Sequence, residues 1–105
     1  MNISEFIKTL PEKVNQDAIA GHNTRFHFDI AGDEGGQFTV AIVDGAMEAQ
    51  EGIHGDAKCV VKAKAEHLSS ILKGDINPMT AVFTGKLKIS NPGEMMKYAK
   101  IFGLM

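Results

Sequence analysis

The sequence predicts an α/β domain of the α+β type, a mostly antiparallel five-stranded sheet covered on one face by helices. Apolar residues keep helical spacing near both ends of the chain, and over five stretches between them they alternate with polar ones. Glycine-rich turns join the first three of those stretches closely enough to make hairpins. The length of 105 residues, with 44% hydrophobic and 23% charged side chains, is that of one ordinary globular domain spanning residues 1–105.

Ile3, Phe6, Ile7 and Leu10 recur at offsets that share one helix face, and Asn2 or Ser4 can cap it. Pro11 breaks that helix, and a short second piece ends near Gly21. From His22 to Ile30 the period changes: Phe26, Phe28 and Ile30 alternate with Arg25, His27 and Asp29, a half-buried strand. The turn Gly32-Asp33-Glu34-Gly35-Gly36 leads to Phe38, Val40 and Ile42, and Asp44-Gly45 leads to a third strand with Met47 and Ala49. Past Glu51-Gly52, Cys59, Val61 and Ala63 mark a fourth strand. A helix starts at Ala65 with Leu68, Ile71 and Leu72 as its buried stripe, and Gly74 ends it. Asn77-Pro78 reads as an N-cap followed by proline at the first helical position, opening a short helix with Met79, Val82 and Phe83 inward and Gly85 at its close. Leu87 and Ile89 form the fifth strand. Asn91-Pro92-Gly93 turns into a last helix, with Met95, Ala99 and Phe102 on one face, Met96 beside them, and Lys97 and Lys100 outward.

The formal charge of −2, with lysines scattered along the chain, argues against a nucleic-acid partner. Cys59 is the one cysteine, so no internal disulfide forms, and no basic segment followed by an apolar leader opens the chain; the expected compartment is the cytoplasm. The chain ends in Gly-Leu-Met, which is not a Ser-Lys-Leu-like peroxisomal signal. No run approaches the roughly 18 to 20 apolar residues of a membrane span, so membrane contact is expected to be transient and peripheral.

Catalytic readings are weak. Cys59 alternates onto the apolar face of its strand, where a free cysteine behaves as a small hydrophobe and not as a nucleophile served by His22, His27, His54 or His67. No histidine pair has i, i+4 spacing, so no metal and no cofactor is expected. Gly32, Gly35 and Gly36 lack the lysine and the strand-to-helix context of a phosphate loop. Asp33, Glu34, Asp44, Glu48, Glu51, Asp56 and Glu66 read as solvated surface, and so do Lys86, Lys88, Lys97 and Lys100, although these lysines could also attract anionic head groups.

From Asp56 to Ile89 the chain runs as the strand Ala57-Lys58-Cys59-Val60-Val61-Lys62-Ala63, a helix through Leu72-Lys73-Gly74, then Asn77-Pro78-Met79-Thr80-Ala81-Val82-Phe83-Thr84-Gly85-Lys86-Leu87-Lys88-Ile89. This segment, together with the Phe26-His27-Phe28-Asp29-Ile30 hairpin upstream, resembles the sterol carrier protein 2 domain family over nearly the whole chain. Two departures are the uncapping Lys64 before the helix and Asn91-Pro92-Gly93-Glu94 in place of a Gly-Asp turn before the last one. The resemblance implies helices on one side of the sheet enclosing an apolar cavity that holds a fatty acyl, sterol-like or isoprenoid molecule.

The sheet wall would come from Phe26, Phe28, Phe38, Val40, Ile42, Met47, Cys59, Val61, Leu87 and Ile89. The helix wall would come from Leu68, Ile71, Leu72, Met79, Val82, Phe83, Met95, Met96, Ala99, Ile101 and Phe102. Periodicity alone shows only that such faces are buried; six methionines add side chains that repack around different guests. The resemblance therefore implies a non-enzymatic lipid binder or carrier whose C-terminal helix swings away to admit the ligand. Two other readings stand beside it: an accessory protein presenting a lipid or quinone precursor to a biosynthetic enzyme, and an interaction module whose apolar face a partner chain fills.

Overall fold

The computed structural model describes residues 2–104. Its elements follow the order α1 (Ile3–Lys8), α2 (Leu10–Lys13), α3 (Gln16–Ile19), β1 (Thr24–Ala31), β2 (Gly36–Val43), β3 (Ala46–Glu51), β4 (Cys59–Lys64), α4 (Ala65–Leu72), α5 (Pro78–Phe83), β5 (Leu87–Ile89) and α6 (Pro92–Tyr98). Asn2 caps α1 by accepting from the Glu5 amide at 3.0 Å. The break falls at Thr9 because Pro11 belongs in the first turn of a new helix, where its missing N–H costs nothing.

The strands lie in the order β3-β2-β1-β4-β5, with all neighbours antiparallel except β1 and β4. Phe26 pairs with Val40 and Cys59, and Phe28 with Phe38 and Val61, so the alternation of each strand puts its apolar residues on the same, helix-covered face. Asp44 and Gly45 have φ of +49° and +79°, the two positive values that a tight hairpin turn requires, which is why Asp-Gly occupies the β2–β3 connection. At the β1–β2 turn, a Cβ on Gly35 would lie 2.1 Å from the Ile30 carbonyl oxygen, so no other residue fits there.

The segment from Gly52 to Lys58 crosses the opposite face of the sheet to reach the parallel position beside β1. It is clasped by Thr39, whose hydroxyl donates to the Gly52 carbonyl (2.8 Å) and accepts from the His54 amide (2.9 Å), and by the 2.9 Å contact of His27 Nε2 with the His54 carbonyl. These bonds explain two buried polar side chains, Thr39 and His27, on what the alternation marks as the outer face.

Four expectations about buried side chains are corrected. Met79, Val82 and Phe83 do not point inward: they are 63%, 42% and 84% exposed, and α5 docks through Ala81, which is fully buried. Their i, i+3, i+4 spacing identifies a common helix face but not the direction that face takes. Met96 is likewise exposed, whereas Glu94 and Tyr98 of α6 are buried.

Candidate functional site

Between sheet and helices the structure contains two regions of different character. The first is closed. Phe102 sits with its ring centre 4.8 Å from Phe26 and 5.2 Å from Phe28, Phe26 and Phe28 stack at 6.3 Å, and Tyr98 meets Phe26 edge-on at 5.8 Å. Phe26, Phe28, Phe38, Val40, Ile42, Met47, Cys59, Val61 and Leu68 all lie in this solid core with Phe102. Polar ties hold α6 to it. The Thr24 hydroxyl donates to the Glu94 carboxylate, Tyr98 Oη lies 2.9 Å from His22 Nδ1, and the Asn91 side chain caps α6 at the Glu94 amide while donating to the Lys58 carbonyl at 3.0 Å.

The second region is a cleft of about 640 Å³ at the β5 end of the sheet. The last turn of α4 contributes Ile71 and Leu72, and the following loop Lys73, Gly74, Ile76 and Asn77. Pro78, Met79 and Val82 come from α5, Leu87 and Ile89 from β5, Met95 and Met96 from α6, and Ala99, Gly103 and Leu104 from the segment after it. The volume is within the roughly 300 to 1,000 Å³ typical of small-molecule sites. A hollow forms here because β5 is three residues long and α5 offers only Ala81 to the interior, so the apolar surfaces on either side do not meet. Another groove, of about 540 Å³, runs between Ile3 and the start of α4, but Asp33, Glu34, Lys64 and Glu66 line it, which suits solvent better than an apolar guest.

Of the twenty-one residues expected to contact a ligand, the structure brings Ile71, Leu72, Met79, Val82, Leu87, Ile89, Met95, Met96 and Ala99 together around the cleft, and packs half-buried Ile101 against the core. It leaves the residues of β1 to β3, with Cys59, Val61, Leu68 and Phe102, in the closed core, and Phe83 outside on the surface. Ile76 and Leu104 also line the cleft, beyond the apolar residues that the sequence points to. Ile76 precedes the Asn77 cap, a position from which an apolar side chain commonly staples the first turn, and that signal was available in the sequence.

Two polar side chains border the cleft, Lys73 and Asn77, the latter already accepting from the Met79 amide at 2.9 Å to cap α5. The titratable groups nearby belong to the closed region. Glu94 is held below the ordinary carboxylate value, first by the Thr24 hydroxyl bond and then by the charge of Lys97, against the opposing effect of burial. Burial raises the Cys59 thiol, and burial followed by the charge of Glu94 raises Tyr98. Cys59 is therefore a protonated, enclosed thiol, the opposite of an activated nucleophile. Among the described residues, no three His, Cys, Asp or Glu side chains are grouped to hold a metal ion, and no helix is long and apolar enough to cross a membrane.

Residues 3–105 match the family model described as the SCP-2 sterol transfer family. The chain belongs to that family. Membership implies lipid binding or transfer. Solved structures show the same fold in several settings. The palmitated SCP2L2 of Aedes aegypti is 18% identical, with a TM-score of 0.75 over 97% of this chain and 95% of that one. A ubiquinone synthesis protein, UbiJ-SCP2, is 14% identical, with a TM-score of 0.65 over 97% and 90%. The inverting sec-alkylsulfatase Pisa1 from Pseudomonas sp. is 21% identical, with a TM-score of 0.75; all of this chain aligns, yet it spans only 16% of the sulfatase. No curated protein matches this SCP-2 chain by sequence. The likenesses carry the fold: five strands with helices on one face, as the alternation predicted.

Proposed function

We propose that this chain binds one single-chain amphiphile, a fatty acid or similar acyl compound, in the cleft between α4, α5, β5 and α6, and carries it without chemistry. The observation that carries the reading is the cleft's lining: apolar throughout except for Lys73 and Asn77. A lysine on an otherwise apolar wall fits an acyl tail inside and an anionic head group at the rim, where an ammonium retains its water. A sterol or isoprenoid alcohol would leave that charge unused. A structural relative is described in palmitated form, which supports an acyl guest here.

The movable element in this reading is α5 and not α6. Displacing α6 would break the Thr24–Glu94 and His22–Tyr98 contacts and separate Phe102 from Phe26 and Phe28, whereas α5 buries a single small side chain. Local opening follows the weaker packing. The chain works as one unit, in the cytoplasm, needing neither cofactor nor metal.

A second reading, presentation of a lipid or quinone precursor to an enzyme, draws support from the likeness to a ubiquinone synthesis protein over nearly the whole of both chains. Native mass spectrometry of the purified protein, followed by organic extraction, tests both. A mass excess that extracts as one acyl compound is the expected result. A bound quinone precursor with co-purifying enzyme favours the second reading, and a lipid-free protein that fails to take up any of a panel of fatty acids, acyl-CoAs, sterols and isoprenoids overturns both.

A further inference from the structure

We propose that the α5–β5 edge is a docking surface for anionic lipid bilayers, with Phe83 as the side chain that enters the membrane and the lysines of β4 and β5 as its head-group contacts. The inference deepens the carrier reading, on which its purpose rests, by naming the face through which the cleft would exchange its guest.

Three observations converge there. The first is apolar. Met79, Val82 and Phe83 present a common face of α5 to solvent, α5 itself carries no charge, and exposed Met96 stands across the cleft mouth from it. Leaving Phe83 84% exposed forgoes the burial that a phenylalanine ordinarily gains on folding.

The second is charge. Immediately after α5, Lys86 and Lys88 border a groove with Lys62, Lys64 and His67, and Lys73 lies on the cleft side of α5. None of these five lysines forms an ion pair with a side chain of the described residues; the carboxylates in this part of the fold are Asp29, which lines the same groove, Asp33, Glu34 and Glu66, which share the neighbouring groove with Lys64, and Asp75, two residues from Lys73. Lys62 and Lys88 are direct cross-strand partners, and the row Asp29–Lys62–Lys88 across β1, β4 and β5 keeps one positive charge in excess at the β5 edge.

The third is polarity along the sheet. The net charge of −2 conceals a separation: from Lys58 onward there are eight lysines and three carboxylates, and before it three basic residues and ten acidic ones. Because β4 and β5 lie at one end of the strand order and β3 at the other, the basic half carries the cleft, and of the acidic half only Asp29, Asp33 and Glu34 come near the β4 lysines. Such a molecule orients in the field of an anionic surface.

The surroundings of the apolar patch select a bilayer over a protein: exposed Met79, Val82 and Phe83 adjoin a sheet edge that carries Lys62, Lys64, Lys86 and Lys88. A few protruding apolar side chains next to a lysine-rich edge are the elements of interfacial membrane binding.

Flotation with vesicles of phosphatidylcholine alone, or with added phosphatidylglycerol, tests the proposal, while uptake of a fluorescent fatty acid is measured in parallel without vesicles. Wild-type protein is expected to float with the phosphatidylglycerol vesicles only, and less so in high salt. Phe83→Ser is expected to weaken flotation about tenfold or more with the melting temperature unchanged, and K86E/K88E to do the same. Failure of the wild type to float with either vesicle, or undiminished flotation of Phe83→Ser, overturns the proposal. So does a wild-type dimer that Phe83→Ser converts to monomer, which would assign the face to a second copy. Fatty-acid uptake without flotation leaves the carrier reading standing and removes the docking surface; flotation without uptake does the reverse.

Discussion

The middle of the sheet and its β5 edge are built from the same kinds of residue, yet one is solid and the other hollow. In the middle, eight-residue strands bring Phe26 and Phe28 against Phe102, and a set of side-chain hydrogen bonds fixes α6 above them. At the edge, a three-residue strand faces a six-residue helix that contributes one alanine to the interior. Apolar periodicity thus specifies which faces turn away from water, while strand length and side-chain volume decide whether those faces meet. Stability should reside in the first region and ligand response in the second.

The largest test of this division is Phe102→Ala, expected to cost about 3 to 5 kcal/mol in chemical denaturation because it empties a well-packed site. A loss below about 1 kcal/mol would show that the aromatic centre is loosely packed and the contrast false. At the other region, a fatty acid present at about 100 times its Kd should add about 2.7 kcal/mol and raise Tm by roughly 10 to 20 °C. An unmoved Tm across a range of chain lengths would leave the cleft without a guest.

A third test concerns the polar tie. Because the folded state holds the Glu94 carboxyl below its ordinary value, its contribution is complete above the unfolded carboxylate pKa and is lost as the pH falls through the depressed folded one. Thr24→Val removes the largest cause of that depression. Its acid-unfolding midpoint should therefore move to higher pH, with a loss at neutral pH of about 1 to 3 kcal/mol for a buried acceptor left without its donor. Identical acid profiles for the two proteins would dismiss the tie. The smallest effect is expected of Lys73→Glu, which should weaken fatty-acid binding about tenfold, near 1.4 kcal/mol, and leave a fatty alcohol unaffected. Equal losses for both would mean that Lys73 supports the wall and does not meet the head group.

Most of the fold was legible in the sequence because each element carried its own local signal: alternation for β1 to β5, Asp44-Gly45 for the second turn, Asn77-Pro78 for the start of α5. The candidate cleft was legible only in part. Leu87, Ile89, Met95 and Ala99 could be assigned to an apolar interior from spacing, but nothing in spacing separates them from Phe28 or Val40, which pack solidly. Whether a gap survives depends on how far apart two elements are held, a non-local quantity. The outward turn of Met79, Val82 and Phe83 was hidden for the same reason: a short helix with an apolar stripe can dock by that stripe or by the alanine behind it.

Every residue lining the cleft lies between Ile71 and Leu104, whereas the β1–β2–β3 meander is complete by Glu51. During synthesis the acidic meander emerges first and can pair through its local hairpins, while the parallel partnership of Phe26 with Cys59 must wait for a sequence separation that is slow to close. Within this domain the hollow is consequently completed last. A nascent chain stalled before Leu87 would display an apolar sheet with no chamber, a form suited to chaperones and to no cargo.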